Sequence, residues 1–211
     1  MNKQSPVYVL GFTVVLSMVF GLGIAAVHYA TQGLLEKNQA LHRNRIIAKA
    51  FMLNVDAETP SAYLDAITDR IEVDTIGGED SPRFIIFRNT KTGDIGFQFG
   101  GMGFWDRIEG IAVLEPSLRE FVNVQFLEQK ETPGLGARIE EQVFTDQFKG
   151  LDINWDAEKE IVIDPSESDA DNHVEAITGA TQTSIALMNL INEELEAFRN
   201  TWNKFDQQAF E

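Results

Sequence analysis

The sequence predicts an α+β fold: an N-terminal transmembrane helix and helical stalk, then a domain with a largely antiparallel sheet and a C-terminal helix. Three observations carry this reading. Residues 7–30 contain no Lys, Arg, Asp or Glu. Between residues 83 and 127, runs rich in β-branched and aromatic residues alternate with turn-forming stretches. After Gly179, apolar side chains recur every three or four positions as far as Phe205. Strands fed by irregular loops, with helices at both ends, fit an α+β arrangement better than a parallel βαβ one.

Composition narrows the class of protein. With 24% charged and 44% hydrophobic residues over 211 positions and only six Pro, the chain is neither largely disordered nor collagen-like. Its single long apolar run excludes a polytopic transporter. Zero Cys excludes a disulfide scaffold, a thiolate zinc site and a cysteine-ligated iron–sulfur cluster. The net charge of −16 argues against nucleic acid as a partner.

The apolar run Val7–Ala30 spans 24 residues, and about 20 suffice to cross a bilayer core at 1.5 Å each. It exceeds the ~7–15 residues of a signal-peptide core, and only Lys3 precedes it. Ala25 and Ala26 are compatible with cleavage, but length and flanks favour an uncleaved anchor behind a short tail, residues 1–6. Tyr8 and Tyr29 stand at its ends, where amphipathic rings favour the lipid interface. Residues 31–56 read as a stalk: no Gly or Pro lies between Leu34 and Asn54, and Leu34, Leu41 and Ala48 recur every seven positions. Lys37, Arg43, Arg45 and Lys49 follow the span against Lys3 before it, a count that by itself would place the domain in the cytoplasm.

Residues 57–211 form the domain. Arg83–Arg88 and Ile95–Phe99 flank Asn89-Thr-Lys-Thr-Gly-Asp, a hairpin turn. Further strands are expected near Ile108–Leu114, Phe121–Leu127, Leu151–Trp155 and Glu160–Ile163, with an acidic loop from Pro165 to His173. In the last helix, Ile185, Met188, Ile191, Leu195, Phe198, Trp202 and Phe205 mark the face packed on the sheet. His28, His42 and His173 are too scattered for a metal site, and the Gly cluster at 100–103 lacks the βαβ context of a dinucleotide fold.

Two segments stand out chemically. In Glu131-Thr-Pro-Gly-Leu-Gly136, Pro133 fixes φ while Gly134 and Gly136 allow the backbone to approach a flat ligand. Taken alone, it is equally a rigid turn. In Thr178-Gly-Ala-Thr-Gln-Thr-Ser184, four hydroxyls gather at a helix start, where unpaired N–H groups and the positive dipole end favour a phosphate. An N-cap alone would explain one hydroxyl, but not the small Gly179-Ala180 pair before Thr181. Successive helical residues are rotated by about 100°, so Thr181 and Thr183 face different directions.

Together the segments resemble a known family. TGAT followed by Thr-Ser looks like the flavinylation motif of the covalent-FMN domain in the C subunit of the sodium-pumping NADH:quinone oxidoreductase (Nqr) and in the G subunit of the Rnf ferredoxin:NAD oxidoreductase complex. ETPGLG is the other hallmark of both subunits and stands here unchanged, about 40 residues upstream. Gly101-Met-Gly-Phe-Trp105 resembles the Gly-x-Gly-aromatic-Trp region of Nqr C subunits, while the chain length is closer to that of Rnf G subunits. The acidic 165–173 loop stands where the resemblance would put a Gly-rich stretch carrying a basic residue, a departure from the family pattern.

The resemblance implies an electron-transfer subunit of an ion-translocating membrane complex, leaning to the Nqr type. FMN would be held covalently, as a phosphoester to Thr181, made by a separate flavin transferase. Thr178, Gly179 and Ala180 would line the phosphate. Glu131, Thr132, Gly134, Leu135 and Trp105 would surround the isoalloxazine ring. The flavin does the redox chemistry, so no catalytic acid or base is expected. Partners would be the other membrane subunits, the transferase and lipid. The resemblance also implies a single-pass protein of the bacterial cytoplasmic membrane with an extracytoplasmic domain, against the charge count. The alternative is a membrane-anchored domain that binds a flavin or phosphate ligand reversibly, for sensing, with no electron-transfer role.

Overall fold

A computed structural model describes residues 5–78, 81–166 and 168–208. Most of the expected N-terminal tail and Glu167 of the acidic loop therefore lie outside the described residues. The chain divides into two units, Met1–His42 and Arg43–Glu211.

Helix α1 runs from Pro6 to Ala50. Its apolar stretch reaches a mean hydropathy of 2.3 over 18 residues, none of them buried. Among the described residues it is the one helix long and apolar enough to cross a membrane. The helix stops six residues before the expected end of the stalk, and the backbone shows why. Met52 takes φ of 49°, Leu53 N–H reaches back to the Ala48 carbonyl (2.8 Å) and Met52 N–H to Lys49 (3.0 Å). This is a Schellman ending with a non-glycine residue in the left-handed position.

In the second unit, helix α2 (Pro60–Arg70) starts on an N-cap: Thr59 Oγ1 accepts the Ala62 N–H, with Pro60 as the first helical residue. It runs directly into strand β1 (Ile71–Gly78). Neither element was expected from the sequence. Strands β2 (Ser81–Asn89), β3 (Ile95–Met102), β4 (Arg107–Leu114) and β5 (Phe121–Glu128) follow. The five form one antiparallel sheet in sequence order, as expected of the sheet type. In the β2–β3 hairpin, Asn89 Oδ1 accepts the Lys91 N–H (3.0 Å) and Gly93 takes φ of 82°.

Both sheet faces are covered. One meets the last turns of α1 and the helix α2: Ile46, Ala50, Phe51 and Ile67 pack with Phe87, Ile111 and Val113. Gly96 makes room there, since a Cβ on it would lie 2.7 Å from Phe51. Buried Asn123 ties the layers by donating to the Lys49 carbonyl (3.0 Å).

The other face carries the C-terminal half. Turns at Gly136–Glu140, helix α3 (Gln142–Thr145) and Asp146–Phe148 bury Ile139, Phe144 and Phe148. Strand β6 (Val162–Asp164) then pairs in parallel with β7 (His173–Glu175). The expected strand at Leu151–Trp155 is reduced to a single bridge, Glu120–Asp152, because the chain turns away at Asn154, whose carbonyl accepts the Ala157 N–H. Helix α4 (Thr181–Gln208) packs on the sheet through Met188, Ile191, Leu195 and Phe198, with Phe198 stacked 4.2 Å from Phe97. Ile185, expected on that face, is 40% exposed, while Leu187 and Leu190 are buried. The buried arc is thus wider than one three-and-four stripe and turned away from Ile185.

Candidate functional site

The two chemical segments meet in space. ETPGLG follows β5 and turns sharply: Leu135 N–H returns to the Thr132 carbonyl (3.1 Å), with Pro133 and Gly134 (φ 75°) at the corner. Pro then a positive-φ Gly is the type II turn pattern. Thr132, Pro133, Gly134 and Leu135 are exposed, while Glu131 is only 4% exposed.

At the head of α4, Thr178 and Gly179 are exposed, and Gly179 takes φ of 82°. Ala180 is buried. Ser184 is the first residue whose N–H closes a helical bond, to Ala180 (3.0 Å), so Thr181, Gln182 and Thr183 N–H groups precede the helical ladder. The Thr181 side chain is exposed; Thr183 and Ser184 are buried. Ser184 Oγ accepts the Ile177 N–H (3.2 Å) and donates to the Ala180 carbonyl (3.1 Å), closing the turn before the helix. Of the four hydroxyls, two face solvent and two are spent on structure.

Two contacts join the motifs. Thr183 Oγ1 donates to Glu131 Oε2 (2.8 Å). A Cβ on Gly179 would lie 3.4 Å from Leu135 Cδ2, so the ETPGLG leucine rests against the TGAT glycine. The third segment arrives through the β3–β4 hairpin. Gly103 N–H bonds the Asp106 carbonyl (2.8 Å), and the Trp105 N–H donates to Glu131 Oε1 (3.0 Å). Trp105 is 64% exposed, with Phe104 packed edge-on at 5.0 Å. Beside it, the Arg107 backbone N–H and then Lys130 hold the Asp106 carboxyl below its usual range.

The glycines at this junction are explained by contact. On Gly103 a Cβ would fall 2.5 Å from Glu131 Oε1, and on Gly136 it would fall 2.5 Å from Thr183 Oγ1. Nothing lies within 4 Å of a Cβ on Gly134, which leaves open space over the turn. A neighbouring cavity of about 140 Å³ is lined by Arg138, Glu141, Glu175, Ile177 and Thr178, among others. Arg138 is paired with Glu141 (3.2 Å), and both line this cavity together with Thr178. The sequence reading missed Arg138 and the Glu131–Thr183 bond. Arg138 lies two positions past ETPGLG, and its basic character was the available signal.

The arrangement is chemically suited to a flat, phosphate-bearing ligand. The donor set fits one: unpaired N–H groups at a helix head, an exposed hydroxyl among them, an exposed indole and leucine, and an open glycine turn. Residues 103–196 match the family model of the FMN-binding domain. Proteins similar to the chain include ones named as the C subunit of Nqr and the G subunit of Rnf.

Against the C subunit of the Na(+)-translocating NADH-quinone reductase of Neisseria meningitidis serogroup B it is 26% identical over 135 residues, 63% of this chain and 48% of that protein. The chain thus spans about half the length of that relative. With the G subunit of the Na(+)-translocating ferredoxin:NAD(+) oxidoreductase complex of Acetobacterium woodii it is 25% identical over 199 residues, 88% of each. Among solved structures it shares its fold with the Nqr C subunit of Parabacteroides distasonis, at a TM-score of 0.65 and 19% identity, covering 79% of this chain and 94% of that one.

Proposed function

We propose that this chain is the electron-carrying flavin subunit of an ion-translocating membrane oxidoreductase of the Nqr or Rnf type. FMN is held as a phosphoester of Thr181, transferred from FAD by a separate flavin transferase with AMP as the leaving group, and the domain lies outside the cytoplasm on a single membrane span. The observation that carries the reading is the exposed Thr181 hydroxyl at the head of α4, beside ETPGLG, while Thr183 and Ser184 are buried. Bound FMN supplies the redox chemistry. The chain's own residues would position it: the first N–H groups of α4 would receive phosphate oxygens, and Thr181 Oγ would carry the phosphoester. Trp105 and Leu135 offer apolar surface to the ring, and Gly134 leaves room for it. Arg138, paired with Glu141, lines the cavity on the Thr178 side. Both relatives named above belong by name to sodium-translocating oxidoreductases, which supports partners in a multi-subunit membrane complex. The Trp105 segment inclines the reading to the Nqr type, and the near full-length match to the Acetobacterium protein favours Rnf.

The test is covalent flavin on the denatured chain after co-expression with a flavin transferase. The wild-type band should fluoresce on a denaturing gel, Thr181→Ala should be dark, and Thr181→Ser should keep partial labelling. Thr181→Ala should fold, since losing a helix-start hydroxyl costs at most about 1–2 kcal/mol. A wild-type band that loses its flavin on denaturation, or label mapped by peptide mass spectrometry to Thr178, would overturn the assignment.

A further inference from the structure

Glu131 is buried at 4% exposure, and no Lys, Arg or His among the described residues forms an ion pair with it. A buried carboxyl group held only by neutral donors is a costly choice for stability alone. Its two oxygens serve three segments. Oε1 accepts the Trp105 N–H from the β3–β4 hairpin, Oε2 accepts the Thr183 hydroxyl from α4, and the group itself belongs to ETPGLG. Two glycines, Gly103 and Gly136, are the size they are because a Cβ on either would strike this cluster.

We infer that the Glu131–Thr183 hydrogen bond is a positioning device that sets the rotation of the α4 head, and so selects which hydroxyl of the TGATQTS segment takes the flavin. Residues two apart on a helix are rotated by about 200°. Fixing Thr183 inward on Glu131 therefore turns Thr181 outward, as observed. The same carboxyl anchors the backbone of the Trp105 loop, so the α4 head and that loop are held by one group. Glu131 acts through Thr183 and Trp105 N–H, not by touching the reacting hydroxyl. The inference rests on Thr181 being the flavin acceptor, and the test keeps the two apart.

The full-length chain is co-expressed with a flavin transferase, and the initial labelling rate and labelled residue are read by peptide mass spectrometry. Wild type, labelled at Thr181, is the control; its failure overturns the flavin reading itself. Thr183→Val removes the hydroxyl at constant shape and should slow labelling about ten- to a hundredfold, the order expected for a misplaced reacting group. Some label should stray to Thr178. Thr183→Ser should restore the wild-type rate, which a purely packing role for the threonine methyl would not. Glu131→Gln is the second variant: its one remaining acceptor oxygen cannot serve both the Trp105 N–H and the Thr183 hydroxyl, so it should slow labelling too. The double variant should be slower than Glu131→Gln alone by less than the Thr183→Val factor, since both changes act on the Glu131–Thr183 bond. Wild-type labelling in a folded Thr183→Val or Glu131→Gln chain would overturn the inference. So would a Thr183→Ser chain as slow as Thr183→Val, or independent effects that multiply in the double variant.

Discussion

A methyl group on Gly136 would sit 2.5 Å from the Thr183 hydroxyl oxygen and 2.9 Å from Glu131 Cβ. The atoms it meets are buried and hydrogen-bonded, so they have no free direction in which to yield. Gly136→Ala should therefore destabilise the domain by about 1–3 kcal/mol, as overpacking does. It should also impair covalent labelling. Gly134→Ala is the contrasting case, because its Cβ meets nothing within 4 Å. Only the left-handed φ of 75° opposes it, at about 1–2 kcal/mol. Denaturant melts of the two unlabelled variants, with labelling measured in parallel, check both. The expected pattern is comparable stability loss with a labelling defect larger in Gly136→Ala.

At the scale of elements, α4 organises the C-terminal half through a few polar residues on its buried side. Asn192 donates to the Ile161 carbonyl (2.9 Å) and the Met188 carbonyl (2.8 Å), and accepts the Ile161 N–H (2.9 Å). It thus fixes the chain entering β6 against the helix. Asn192→Ala leaves Ile161, itself fully buried, with unsatisfied backbone groups, and should cost about 2–4 kcal/mol in a denaturant melt. Two residues further along α4, Glu194 lies 3.7 Å from Arg83. Burial pushes its carboxyl above the usual 4.5, and Arg83 only partly opposes this. The folded chain then holds the Glu194 proton to higher pH than the unfolded chain does. Its contribution to stability is present at low pH and falls as pH rises from 4.5 through the raised folded value. Glu194→Gln carries no such titration. Its stability relative to wild type should rise across that interval, and melts from pH 4 to 8 measure the difference.

On the scale of the whole molecule, a 45-residue helix carries the apolar run, and its residues from Arg43 onward belong to the second unit. The flanking charge count points one way for the orientation and the family resemblance the other. A reporter fused after Glu211 separates them: an enzyme active only outside the cytoplasm should be active, and one active only inside should be silent. The protein should stay in the membrane fraction with Val7–Ala30 intact. Reversed reporters would place the domain inside, and release with a new N-terminus after Ala25 or Ala26 would remove the anchor. The net charge of −16 also makes encounters with a redox partner sensitive to salt, whichever sign that partner presents.

The sequence alone determined whatever depends on near neighbours in the chain. A 24-residue uncharged run needs no tertiary contact to be read as a span. The Asn89–Asp94 turn and its flanking apolar runs define a hairpin locally, and α4 is fixed by its own period. Helix α2 was missed although Thr59-Pro60 signals its start, because its apolar face is thin: only Tyr63 and Ile67 are buried. Strand β1 is half polar and gains its identity by pairing with β2. Strands β6 and β7 are three residues each, joined by parallel pairing, with Gln147 bonding both backbone groups of Glu175 on β7. Such short segments carry too little pattern to be read alone. The site divides the same way. Both motifs were legible as residues, and the opposed directions of Thr181 and Thr183 followed from helical geometry. That Glu131 lies inside, joined to a threonine 52 positions away and to a hairpin 26 positions back, is a property of the packed chain. Burial and long-range hydrogen bonds exist only once distant segments meet, so only the tertiary structure could decide which hydroxyl faces in and which is left for chemistry.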